Sequence, residues 1–374
     1  MIAKTKREMA AFLAEAMSSS YARYRKEQKL DYDTGLLKSY LIEADVALSK
    51  KSAHSDILAF LNELPPELHI KVFESEEETL FNIEHGKDKY YLDVSDMRFW
   101  ILHTLALSNR ADKLRLDLLK SSPLLDSAWL PTQLLERISL MGFFKGFGAL
   151  HDETPFVVAD SQETTVETMH LRLWGDGAGS VLKALQKSGA FPHSLALSSV
   201  RVKFWLKNYE DEAVIDNVTY DGKTTALGKS FASHTNLITK SYSEYAHSIK
   251  RIEDELSIRF KGEDGVFGLE GHPIVITLSR ELKDARVFVS KVFSSSLPFR
   301  LWGMSELYED GFARVYAVDL HIGHKLTFEI GKDFIRIYLP PGTCGNSIAR
   351  FYTNLQQHYD SRAVISGGKY EQLF

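Results

Sequence analysis

From Thr5 to Gln28, apolar side chains recur at helical spacing: Met9, Phe12, Leu13, Ala16 and Met17, then Tyr21 and Tyr24, with charged residues between them. Leu36, Leu37, Tyr40, Leu41 and Ala44 continue that spacing. Ile57, Leu58, Leu61 and Leu64 give a third run, which Pro65-Pro66 stops. Residues 1–66 therefore read as three helices, a small bundle or a docking arm.

From residue 68 the period changes. "HIKVF", "LFNIEH" and "KYYLDV" read as short strands, with a turn at Gly86-Lys87-Asp88. "RADKLRLDLLK" and "WLPTQLLERISLMG" read as helices, the second with Pro131 near its start and Gly142 at its end. Residues 67–150 form a mixed α/β block.

Beyond 150 the order of elements repeats. Residues 151–262 run through strand "VETMHLRLWG", helix "AGSVLKALQKSG", strand "SSVRVKFWLKNYED", two strands around Asp221-Gly222, and helix "SEYAHSIKRIEDEL". Residues 263–374 run through strand "HPIVITLS", helix "RELKDARVFVSKVF", strand "PFRLWGMSELYED", further strands, and helix "NSIARFYTNLQQHYD". "LRLWG" at 171–175 nearly matches "FRLWG" at 299–303. The better register, however, sets Lys203-Phe204-Trp205 against Arg300-Leu301-Trp302, and each block then closes its strand on Tyr-Glu-Asp. Two tandem half-repeats account for this better than a ligand motif used twice.

The predicted class is α+β: an N-terminal helical region, a mixed middle block, and a C-terminal pair of β-α-β-β-β-α half-repeats. These half-repeats are expected to form a curved antiparallel sheet with helices on one face. Within 155–365 that order, and the run "GKDFIRIYLPPGTCGNSIARFYTNLQQHYD" (331–360), resembles the TATA-binding-protein-like fold. The resemblance is architectural. It implies a saddle of two halves and transfers no functional residue.

Composition narrows the function classes. The 374 residues are 44% hydrophobic and 25% charged, as in ordinary globular domains. The net charge of −5 is spread evenly, so no segment is a phosphate-binding arm by charge alone. No apolar run is long enough to span a membrane. A single cysteine excludes an internal disulfide framework, and a cytoplasmic setting is expected.

Candidate chemistry is sparse. Lys145 and Phe147 in "GFFKGFG", joined by Arg201, Lys203, Arg300 and Arg314 on strands, could hold nucleic acid through stacking and phosphate contacts. Gly175, Gly177, Gly179 and Ser180 form a strand-to-helix turn that suits a phosphate, without a Walker lysine. His321 and His324, with Asp319, are weak metal candidates. Cys344 precedes a helix, and His358 follows on that helix. "HDE" at 151–153, with Asp160 and Glu163, gathers possible nuclease carboxylates. No constellation is complete, and no cofactor is expected. A non-enzymatic binding or assembly role is therefore expected, with a nucleic acid or a protein as partner on the sheet face. The alternatives are a phosphate-handling enzyme at 175–180 and a structural subunit of a larger complex.

Overall fold

The computed structural model describes residues 2–27, 36–47, 53–156, 168–189, 191, 195–206, 213–263, 266–368 and 371–374. The elements begin with α1 (Lys6–Glu27), β1 (Leu37–Ala44), α2 (Ala53–Glu63), β2 (Ile70–Glu74), β3 (Leu80–His85), β4 (Asp88–Asp93), β5 (Phe99–Thr104), α3 (Ser108–Ser121) and β6 (Leu125–Ser127). They continue with α4 (Thr132–Ser139), β7 (Phe143–Asp152), β8 (Thr168–Trp174), α5 (Ala178–Ser188), β9 (Ala196–Phe204), β10 (Val214–Thr219), β11 (Lys223–Gly228) and α6 (Phe231–Arg251). The last are β12 (Arg259–Glu263), β13 (Val266–Glu270), β14 (Ile274–Thr277), α7 (Ala285–Val292), β15 (Leu301–Leu307), β16 (Ala313–Asp319), β17 (Lys325–Ile330), β18 (Phe334–Tyr338), α8 (Asn346–His358), β19 (Val364–Gly367) and β20 (Glu371–Gln372). The protein is mixed α+β, as the hydrophobic pattern predicts.

Contacts divide the chain into two units built from interleaved segments. Unit 1 holds Met1–Ala128, Arg137–Lys145 and Val200–Tyr242; unit 2 holds Trp129–Glu136, Gly146–Ser199 and Ser243–Phe374. The sequence pattern instead divides the chain consecutively, at 66, 150 and 262.

Unit 1 is built on an antiparallel sheet of order β2–β3–β4–β5–β1–β11–β10, with β6 beside β1. One face carries Tyr40, Ile42, Phe81, Ile83, Tyr90, Leu92, Trp100 and Leu102 against α2 and α3, through Ile57, Leu61, Ala111, Leu114 and Leu118. Each such buried aliphatic or phenyl side chain contributes about 1.5–3 kcal/mol. The helix expected at 36–44 is corrected to strand β1. All eight of its residues are buried, between β5 and β11. A strand covered on both faces loses polar–apolar alternation, and its apolar run then mimics a helix stripe. The Asp221-Gly222 hairpin forms as expected, with Gly222 at φ 79° between β10 and β11. A Cβ at Gly222 would fall 2.9 Å from the Ala128 carbonyl oxygen.

Unit 2 is built on a seven-stranded sheet of order β15–β16–β17–β18–β14–β19–β20. Alternate residues point to one side and are buried there, among them Val315, Ala317, Phe328, Ile335 and Ile276. Phe293 and Phe351 both pack on Phe328, with ring centroids 4.9 and 5.3 Å away. Helix α8 is buried nearly throughout, polar residues included. Gln356 Oε1 accepts from the Thr132 backbone N–H at 3.0 Å, and Gln357 Nε2 donates to the Leu197 carbonyl at 2.8 Å. These bonds remove the desolvation penalty that would otherwise forbid a polar helix in a core.

The order β-α-β-β-β-α runs from β8 to α6, whereas from β14 to α8 four strands, β15 to β18, lie between the helices. The opening strands differ in their partners. β8 pairs with β7, whereas β14 lies between β18 and β19. "RLWG" ends a strand in one case and begins one in the other, so its two copies are not structural equivalents.

Candidate functional site

The chemically richest cluster lies on the second face of the unit 1 sheet. Ser39 in β1 stands opposite His103 in β5 and Thr224 in β11. Asp216 in β10 is opposite Ala226, which is itself opposite Leu37, two residues before Ser39. Strand periodicity therefore puts Asp216 on the Ser39 face. α6 lies over it. Its start is fixed by Ser230, whose Oγ accepts from the Ser233 N–H at 3.1 Å, and His234 lies in the first turn.

The four side chains form one line. Asp216 Oδ1 is 2.7 Å from His234 Nδ1, His234 Nε2 is 2.8 Å from Ser39 Oγ, and Ser39 Oγ is 2.7 Å from His103 Nδ1. Ser39, His234 and Asp216 thus share the hydrogen-bond distances of a serine–histidine–aspartate triad. All four are closed from solvent: Ser39 and His103 are 1% exposed, His234 and Asp216 0%. Burial, then the neighbouring His234, push His103 down to about 3. Burial also raises Asp216, against the charge and hydrogen bond of His234. Asp216 Oδ2 has no hydrogen-bond partner among the described residues, which agrees with that direction.

Unit 2 buries a second carboxylate in different company. Asp319, at the end of β16, accepts from the Arg350 guanidinium and the Ser347 hydroxyl on α8; all three are essentially unexposed. Arg350 Nε also donates to the Phe299 carbonyl at 3.0 Å. The cation is permanent, so this is a lock and not a site for proton transfer.

The other face of the unit 2 sheet is open. Trp302, Met304 and Tyr316 are 48%, 67% and 48% exposed, and Met304 stands directly opposite Tyr316. Beside them, Glu329 accepts from Arg314 at 3.0 Å, Arg336 at 2.7 Å and Tyr338 at 2.9 Å. Partial burial would raise Glu329, but the bonds from Arg336, Tyr338 and Arg314 outweigh it and hold the carboxyl low.

A family model for MJECL33-like proteins matches residues 1–374. The chain belongs to the MJECL33-like family. A Methanocaldococcus jannaschii protein, MJECL33, is 26% identical over 397 aligned residues, covering 96% of this chain and 93% of that protein. In this member of the family, no helix among the described residues is long and apolar enough to cross a membrane.

The residues singled out from the sequence are dispersed. Lys145, Arg201 and Lys203 fall in unit 1, and Phe147, Arg300 and Arg314 in unit 2. Phe147 is corrected as a stacking residue: it is fully buried. Phe143 is the exposed member of that string, and it stacks on Trp205 at 4.8 Å. Lys203 lies over the same indole. Arg300 sits just before β15 at φ 54° and donates to the Leu320 carbonyl.

The strand, glycine turn and helix around 175–180 form as expected. The Ala178, Ser180 and Val181 N–H groups already donate to Gly175 and Gly177, which lessens the turn's capacity for a phosphate. His321 is buried and His324 half-buried, and the third ligand imagined for them, Asp319, is committed to Arg350. Cys344 is buried at the start of α8, and a ligating atom of His321 lies within 4.8 Å of its sulfur. His358, the partner considered for that thiol, is at the far end of α8 on the Asp152 carbonyl. Glu153 is paired with Arg280 at 2.7 Å, and Asp160 and Glu163 lie outside the described residues.

The relay in unit 1 was not legible from the sequence. Its bonds join residues 64, 195 and 18 positions apart. Only the alternation of "AVIDNVT", which sets Asp216 in phase with Val214 and Val218, hinted that one carboxylate faces a core.

Proposed function

We propose that this chain is a binding and assembly protein that takes a protein partner on the open sheet face of unit 2. The observation that carries this reading is the grouping of exposed Trp302, Met304 and Tyr316 beside Arg314, Arg336 and Tyr338 on a sheet whose opposite face is packed. Tryptophan, tyrosine, methionine and arginine are the types enriched at the centres of protein interfaces. Glu329 engages both guanidinium groups and offsets one of their two charges, which lessens their hold on a polyphosphate and favours a protein. The sequence resemblance to tandem TATA-binding-protein-like half-repeats fits the use of a sheet face and leaves the ligand open. A cytoplasmic setting belongs to the same proposal.

The test compares tagged parent with a Trp302→Ala/Tyr316→Ala variant, purified from the native host. A defined partner should accompany the parent and be lost from the variant. A parent that elutes alone, or a variant that keeps the partner, contradicts the proposal. Fluorescence anisotropy with short single- and double-stranded DNA and RNA is the second arm. Binding that persists at physiological salt with a steep salt slope would put nucleic acid in the partner's place.

A further inference from the structure

We propose that Ser39 is the nucleophile of an acyl-transfer site in unit 1, with His234 as its general base, Asp216 orienting that base, and His103 positioning the hydroxyl. This goes beyond the binding reading and concerns the other unit.

The argument is one of proton inventory. Ser39 Oγ carries one proton and touches two imidazoles. With Asp216 ionised, His234 must donate through Nδ1 to Asp216, which leaves Nε2 as an acceptor. The Ser39 proton then points at His234 Nε2. The remaining Oγ contact is filled by an N–H on His103 Nδ1. A neutral His103 thus excludes the unproductive direction of the serine hydroxyl, a role a triad alone does not fill. A low His103 pKa supports the neutral form. If the Asp216–His234 pair takes up one more proton, the line can reverse, with His234 Nε2–H facing Ser39 and no base available. Reactivity should therefore rise with pH.

The chemistry balances within these residues and a small ester. Ser39 Oγ bonds to the carbonyl carbon while its proton moves to His234 Nε2. The ester C–O bond breaks, and the leaving alkoxide takes that proton. Water then attacks the acyl-serine by the reverse route and releases the carboxylic acid. Phe231, at the start of α6, packs against both imidazoles. Its ring meets His103 edge-on at 5.3 Å and lies 6.2 Å from His234. Phe231 is therefore the side chain to cut back in a test.

The probe is an alkyl fluorophosphonate, with modification mapped to Ser39 by peptide mass spectrometry under native conditions. Phe231→Ala should be labelled at Ser39 faster than the parent, and Ser39→Ala in that background should remove the signal. His234→Ala should lower the rate by about 10²–10⁴-fold. The rate in the parent should climb with pH, and Asp216→Asn should abolish that profile. His103→Gln, which keeps a donor, should retain labelling that His103→Leu loses. If Phe231→Ala does not fold by circular dichroism, Phe231→Leu serves as the opened variant. The proposal is overturned if Ser39 stays unmodified in both parent and opened variant, or if His234→Ala is labelled at the parental rate.

Discussion

Each unit has a buried cluster that contains an aspartate and a serine, and the two clusters differ in the third member. In unit 2 Asp319 meets Arg350; in unit 1 Asp216 meets His234. Arginine holds its proton at any accessible pH, so Asp319 is permanently compensated and Ser347 simply adds a donor. Histidine can give its proton up, so the charge on Asp216 depends on where one proton sits. The same two ingredients therefore make a lock in one place and a movable proton line in the other. Burial alone does not distinguish them; the identity of the base does.

The largest effect should come from breaking the lock. Arg350→Leu takes the cation from the buried Asp319 carboxylate, which costs about 3–5 kcal/mol. Urea denaturation should show that loss, and a change below 1 kcal/mol would mean that Asp319 is not charged there.

Next comes pH. The unfolded chain binds a proton at His103 as pH falls through its ordinary 6.5, whereas the folded chain resists until about 3. Stability is thus fully present above that window and lost on descending through it, at up to about 1.4 kcal/mol per pH unit. Asp216 acts in the opposite sense. Its raised folded pKa adds stability at low pH that is lost as pH rises through that value. Urea titrations of His103→Gln should flatten the acid slope, and those of Asp216→Asn should steepen it.

Asp216→Asn at neutral pH should cost about 1–3 kcal/mol, because one buried hydrogen bond to a charged group is altered. Tyr316→Ala, on the open face, should change stability by no more than about 0.5 kcal/mol. That substitution sharpens the contrast between residues kept for the fold and residues kept for a partner, since partner binding should fall while the urea midpoint stays.

Much of the fold was legible where one face of an element meets solvent. β16 alternates buried and exposed residues, and "ARVYAVD" reads as a strand at sight. The Asp221-Gly222 turn announces its own hairpin. β1 did not, because a central strand covered on both sides has no alternation to read. β5, "FWILHT", lacks alternation for the same reason. The site was harder still. A hydrogen bond between Ser39 and His234 is a fact of sheet order and helix placement, and neither residue carries a local mark of it. Charge and strand position mark an arginine in the sequence, but pairing such as Arg314 to Glu329 shows only in three dimensions.

The most direct measurement is long-range ¹H–¹⁵N NMR of the histidine side chains, assigned with His103→Gln and His234→Ala. The contrast between lock and proton line requires a neutral His234 that is protonated on Nδ1 and bare on Nε2, with His103 also protonated on Nδ1. A His234 found as the Nε2–H tautomer, or as a cation unchanged across the pH range, would make the unit 1 cluster a second lock and contradict the distinction.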